Sequence, residues 1–294
     1  MVDAGLLILD KPAGLTSFGA VQRIRSLTGA KRVGHAGTLD PLATGVLPIL
    51  MGSATRLSDY ALRQVKTYVA DVHFGHTTET DDAEGQLVAV ADPSDLDRER
   101  VAAALQGFVG RIMQAPPAYS AIKLGGERAY RLARQGRPVR PEARPVDVHE
   151  ATLLSFEPGP AARASLKVVC GSGTYLRSLA RDLGDVLEVG AYLGKLVRTA
   201  YGGLTIEEAV RLDDLVDGEA VRRALRPPEL VLPHMHAVRV TVEQVAQIKQ
   251  GRAVRVFPEP GPGEVRAHDA DGRLVALGHT DPLLRTFVPE KVLV

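Results

Sequence analysis

The chain has 294 residues, 45% hydrophobic and 24% charged, which is enough apolar material for one large domain plus a small one and too much for an extensively disordered protein. Its 36 basic and 35 acidic residues leave a formal charge of +1, excluding a uniformly basic protein but not a basic face. One cysteine excludes internal disulfides and cysteine-built zinc sites, and 4% aromatics without tryptophan argue against a broad stacking platform for single-stranded nucleic acid, so any RNA partner is expected to be folded.

The chain opens without a basic-then-apolar leader, and no stretch is long and apolar enough to span a bilayer, so a cytoplasmic protein is expected. Leu6 to Leu9 reads as a buried strand ended by the turn Asp10-Lys11-Pro12-Ala13-Gly14. Lys11 is a candidate phosphate contact, although a solvated turn lysine is the commoner reading. Ser17 is placed to cap a helix whose inner face carries Val21, Ile24 and Leu27 and which stops near Gly29.

Gly34 to Ile49 confines one carboxylate, Asp40, between turn-forming residues and an apolar run. Gly34, Gly37 and Gly45 permit backbone angles that other residues resist, and Pro41 holds Asp40 out of the helical region. Leu39, Leu42, Val46, Leu47 and Ile49 crowd the acid, so it should sit on a rigid loop packed against a core. A partly desolvated carboxylate there needs a partner or a task.

Lys66 to Phe74 alternates, with Tyr68, Ala70, Val72 and Phe74 on one face and Asp71 and His73 on the other, as in a strand. From this segment alone Tyr68 is core. Gly75 to Gly85 reads as a solvated polar loop, since its carboxylates lack EF-hand spacing. Ser94 is expected to cap a helix carrying Leu96, Val101 and Leu105, with strands at Phe108–Met113, Val146–Phe156 and Leu166–Cys170. Between the first two strands, residues 121–145 hold Lys123, Arg128, Arg131, Arg134, Arg137, Arg140 and Arg144 against Glu127 and Glu142. A one-signed run in a balanced chain is read as a nucleic-acid contact, the alternative being a solvated face.

Gly171 to Arg181 leads into a helix capped by Thr174 with Leu176, Leu179, Leu183 and Leu187 inside. Arg177 lies off that face, and a cation in the first turn opposes the helix dipole, so a carboxylate partner is expected, either in the same helix or distant. Lys195–Tyr201 reads as a strand, and Thr205 with Glu208 as a capping box for another helix. The large domain is placed at 1–229, ending near Arg226-Pro227-Pro228. A small, mostly β module at 230–294 follows, with a helix over Thr241–Gln250 and a hairpin turning at Asp271-Gly272.

The residues show no acidic pair within the Asp40 loop, no two-histidine zinc spacing, no phosphate loop and no dinucleotide fingerprint, so neither metal nor cofactor is implied. What the residues themselves support is an RNA-binding enzyme that uses an aspartate.

The motifs GHAGTLDPLATGVLP, preceded by LILDKPAGLTS and followed by Lys66-x-Tyr68 and GTYLRSLARDLG, resemble the bacterial TruB family of tRNA pseudouridine synthases almost end to end. The resemblance implies the α+β pseudouridine synthase fold, with a mixed, mainly antiparallel sheet around a central cleft and a C-terminal β-rich PUA-like domain. It implies Asp40 as the catalytic aspartate, Tyr68 as the tyrosine that stacks on the target uracil, and Arg177 as the partner of the aspartate. It further implies His35 as a residue that helps extrude the base, Tyr175 and Leu196 as pocket residues, and Asp82 near the flipped nucleotide. Arg56 stands where many relatives carry lysine, as a phosphate contact. The implied reaction converts the T-loop uridine at tRNA position 55 to pseudouridine, with the T-arm as partner and neither an obligatory protein partner nor more than a monomer required. The alternatives are a non-catalytic tRNA-folding chaperone and a synthase acting on another RNA.

Overall fold

The computed structural model describes residues 4–120, 122–124, 127–135, 139, 141–257, 263–281 and 285–294. Strands β1 (Gly5–Lys11), β2 (Val33–His35), β3 (Thr44–Met51), β4 (Lys66–Phe74), β5 (Gly110–Gln114), β6 (Arg144–Glu157), β7 (Arg163–Cys170) and β8 (Ala191–Tyr201) build one sheet. Its order is β1-β3-β8-β4-β7-β6-β5, with Val210–Arg211 beyond β1, Leu204–Thr205 on β8 and β2 on β3. Pairing is antiparallel except for β3 with β8 and β1 with Val210–Arg211, a mixed and mainly antiparallel sheet as expected. This order places β8, which comes late in the chain, between β3 and β4, so Leu196 and Arg198 lie among residues from the first quarter of the sequence.

The period-two geometry of a strand divides β1 between two cores. Leu7 and Leu9 join the helices α1 (Ser17–Thr28), α2 (Arg98–Gln106) and α3 (Leu176–Val186), whereas Leu6 and Ile8 face a second cluster that includes Leu274, Leu277 and Leu293 of the C-terminal module. Covering both faces accounts for the unbroken apolar run. In β4 the expected alternation holds, with Tyr68, Ala70, Val72 and Phe74 buried. In α3 the leucine face is buried as read.

Several local readings change. The cap of α1 is Thr16, whose hydroxyl accepts from Gly19 N at 2.9 Å, while Ser17 is the first helical residue. Asp97 caps α2, and Ser94 instead closes a turn with Asp92. Thr174 does not cap α3; Tyr175 is the cap position, and its N–H donates to Gln114 Oε1 at 2.8 Å. The Thr205–Glu208 capping box forms, but over a single 3-10 turn, Ile206–Glu208. The 75–85 loop is not simply solvated: Asp81 and Asp82 are buried, because Arg181 and Arg177 lie beside them.

In the C-terminal module, β9 (His236–Arg239), β10 (Val254–Arg255), β11 (Glu264–His268), β12 (Leu274–Asp281) and β13 (Thr286–Val292) form a second sheet ordered β9-β11-β12-β13-β10. Thr241 caps α4 (Val242–Lys249) with a full capping box, and the expected hairpin turns at Gly272 with φ 79°.

Candidate active site

Residues 36–43 form the loop that carries Asp40, and each neighbour of the acid is tied down. Ser17 Oγ donates to Leu39 O at 3.0 Å and accepts from Leu39 N at 2.8 Å. Pro41 O accepts from Gly14 N at 2.8 Å and from Lys11 Nζ at 3.3 Å. Gly37 and Gly45 have positive φ, and a Cβ on Gly37 would lie 2.6 Å from Tyr201 Cε2, one on Gly45 2.3 Å from Arg198 O. Gly34 has no such requirement, being an ordinary residue of β2 paired with Leu50.

The carboxylate meets Arg177 from α3. Arg177 Nε lies 2.9 Å from Asp40 Oδ2, with the arginine side chain 6% and the aspartate side chain 35% exposed. Nε makes no aligned hydrogen bond, so the contact is an ion pair with the N–H off line. The other nitrogens fix the guanidinium: Nη1 donates to Thr80 O at 3.0 Å and lies 3.4 Å from Asp82 Oδ2, and Nη2 donates to Tyr119 O at 3.1 Å. Both carboxylates beside Arg177, Asp40 and Asp82, come from outside its helix, so of the two expected kinds of partner it is the distant one that is found.

A cavity of about 380 Å³ opens over Asp40, lined by Tyr68, Ser120, Tyr175, Leu196 and Arg198 among others. Five of the expected residues, Asp40, Tyr68, Arg177, Tyr175 and Leu196, therefore meet in one place. Burial raises the pKa of the Tyr68 phenol, which Arg198 opposes, so it is neutral at physiological pH. His35 does not line the cavity; burial, with Arg198 adding to it, lowers its pKa and keeps the ring neutral.

Two expectations are corrected. Lys11 cannot serve as a phosphate contact: the residue is fully buried and its ammonium donates to Pro12 O, Leu15 O and Pro41 O, making it a strap on the Asp40 loop. Asp82 does not face the cavity; 2% exposed, it accepts from Thr80 Oγ1 and Glu84 N and supports Arg177 from behind. Arg56 is exposed, lies outside the cavity lining, and donates from its guanidinium to Val292 O of the C-terminal module.

Three contributors were not read from the sequence. Arg198, 1% exposed, donates to Val46 O and Gly37 O, bracing both ends of the Asp40 loop. Lys66 donates to Leu62 O and Ser172 Oγ in the cavity wall, and burial pulls its pKa down to about 8. Gln114 grips the start of α3 by donating to Tyr175 O as well as accepting from its N–H. Lys66 left a hint, as the one lysine or arginine of an alternating strand.

Of the basic segment, a hairpin of Lys123–Leu124 with Glu127–Arg128 and a short helix Ala129–Arg134 are described, with Arg131 exposed. Arg137 and Arg140, and the side chains of Lys123, Arg128 and Arg134, lie outside the described residues. No helix among the described residues is long and apolar enough to cross a membrane.

The family model for the TruB family pseudouridylate synthase N-terminal domain matches residues 25–176, and that for the tRNA pseudouridylate synthase B C-terminal domain matches 177–233. Among curated relatives, tRNA pseudouridine synthase B of a Synechococcus species is 44% identical, covering 95% of both chains. The protein of that name from Symbiobacterium thermophilum is 46% identical over 86% of this chain and 83% of its own. Among solved structures, an archaeal box H/ACA sRNP Nop10–Cbf5 complex matches with TM-score 0.73 at 25% identity, covering 100% of this chain and 87% of the other. A Cbf5–Nop10–Gar1 complex gives 0.72 at 28%, covering 99% and 85%. The expected pseudouridine synthase fold is thereby borne out. The chain belongs to the TruB family of pseudouridylate synthases.

Proposed function

We propose that the chain isomerises the T-loop uridine at position 55 of tRNA to pseudouridine, with Asp40 as the reacting carboxylate, and that it acts without a protein partner. The observation that carries this reading is the asymmetry of the Asp40–Arg177 pair. The cation is walled in and held by backbone carbonyls, whereas the acid keeps about a third of its surface open to the cavity.

That arrangement suits a reaction in which the N-glycosidic bond breaks, uracil turns and a C–C bond forms at C5, with no atom gained or lost. The detached base must be kept in place, and the buried Tyr68 ring and the Leu196 side chain offer apolar walls for it. Extruding a base from a folded loop costs on the order of a few kcal/mol, which stacking and phosphate contacts offset. Residues 121–145, next to the cavity through Ser120, are assigned the phosphate contacts, with 1–229 as the catalytic domain and 230–294 as a PUA-like RNA-binding domain. A chaperone without chemistry would have no use for a carboxylate braced by Ser17, Lys11, Arg198 and Arg177.

The test is to incubate the purified chain with an unmodified tRNA transcript and map pseudouridine by primer extension. Conversion at position 55 is expected. No conversion, or conversion only elsewhere, would overturn the assignment.

A further inference from the structure

Ser120 in the cavity wall has no role so far. Ser120 is 3% exposed and lines the cavity with Asp40, Tyr68, Arg177 and Leu196, yet its Oγ is buried and makes no hydrogen bond among the described residues. Two other hydroxyls of the lining are committed: Ser172 Oγ accepts from Lys66 Nζ and donates to Leu62 O, and Thr174 Oγ1 donates to Gly171 O. A buried hydroxyl without a partner costs about 1–3 kcal/mol, so proteins seldom retain one without a use. The Ser120 backbone is fixed on both sides, because the preceding Tyr119 O accepts from Arg177 and Ser120 O accepts from Tyr130 N at 2.9 Å.

We propose that Ser120 Oγ hydrogen-bonds the carbonyl-bearing edge of the extruded uracil, a substrate contact that holds the ring before and after it turns. This rests on the pseudouridine synthase reading. Ser120 shares the cavity wall with Tyr68 and Leu196, the two residues assigned to the faces of the ring, which favours the base over the ribose. The ribose stays joined to the RNA outside, so the base reaches furthest in. A half turn of uracil about the axis through N3 and C6 exchanges N1 with C5 and O2 with O4. A rotatable hydroxyl at that edge therefore meets a carbonyl oxygen in both orientations and can follow the ring without moving its own backbone.

The test compares wild type, Ser120→Ala and Ser120→Thr on a T-arm RNA stem-loop, and on the same RNA with an abasic target nucleotide that keeps its ribose. Loss of one neutral hydrogen bond predicts for Ser120→Ala a single-turnover rate and a uridine-RNA affinity each lower by about fivefold to tenfold. Its affinity for the abasic RNA should equal that of wild type, its melting temperature should not fall, and Ser120→Thr should recover most of the rate. A wild-type rate in Ser120→Ala overturns the inference. So does an equal affinity loss on abasic RNA, which moves the contact to ribose or phosphate, and so does a lowered melting temperature that Ser120→Thr does not restore. Wild-type protein that fails to convert the RNA would count against the proposed function, whereas the affinity difference between uridine and abasic RNA bears on Ser120 by itself.

Discussion

Arg177 Nε stands 2.9 Å from Asp40 Oδ2, and the arginine is the buried member of the pair while the aspartate is the open one. The two come from segments more than a hundred residues apart, and the arginine is anchored independently of the acid by Thr80 O, Tyr119 O and Asp82. Arg177 is therefore a fixed electrostatic wall against which the reacting carboxylate is held.

Replacing Arg177 by Lys keeps the charge but loses the planar fork that reaches four partners. The variant should lose on the order of a hundredfold in turnover through misplacement of Asp40. It should also lose about 3 kcal/mol of stability, because the buried Asp82 is left poorly compensated. Steady-state kinetics with urea unfolding checks both; unchanged stability would show that Asp82 does not depend on Arg177.

Ser17→Ala removes both hydrogen bonds to the backbone of Leu39, next to the acid. Leaving those groups unpaired should cost about 1–3 kcal/mol. Since Ser17 is remote from the cavity surface, kcat should fall with KM for tRNA held. A rise in KM at constant kcat would mean that the loop binds RNA instead of orienting Asp40.

Burial lowers the pKa of Lys11 to about 8, against 10.5 in the unfolded chain. Between these values the unfolded chain holds a proton that the folded chain has released, so stability rises with pH through that window, and the penalty of burying the charge is fully present below it. Lys11→Met lacks this group while keeping the other titrating residues. The melting temperature of wild type minus that of the variant should therefore increase from pH 7.5 to 9.5 in parallel thermal scans; a flat or falling difference contradicts the burial of a charged Lys11.

Replacing Lys123, Arg128 and Arg131 together by Ser should weaken tRNA binding and flatten the plot of log Kd against log salt by roughly 0.7–0.9 per lost phosphate contact, with single-turnover chemistry at saturating tRNA unchanged. Filter binding across a salt series measures this, and an unaltered slope would remove the segment from the RNA interface.

The Asp40 loop, the Tyr68 face of β4 and the leucine face of α3 were legible because local pattern determines them: turn residues beside a run, period two, period near 3.6. Arg177 was legible as a cation needing an acid, but the identity of that acid came from the resemblance. Arg198 and Gln114 were not legible, because their work is done on backbone groups far away in sequence, which only the order β3-β8-β4 and the packing of α3 bring near, and the role of Lys11 was not, because it depends on the side chain folding back onto Pro12 O and Leu15 O and, beside the β1–β3 pairing, onto Pro41 O. The caps at Ser17, Ser94 and Thr174 missed by one to three residues for a related reason. A hydroxyl can serve a cap, a turn or a distant loop equally well, and Ser17 was drawn to Leu39.

The most direct test of Asp40 as the reacting group is pseudouridine mapping on T-arm RNA after incubation with wild type or Asp40→Asn, the latter keeping the size of the side chain and losing its charge. The arrangement predicts full conversion by wild type and none by the folded variant, which should still bind the RNA. Pseudouridine formed by Asp40→Asn would contradict it.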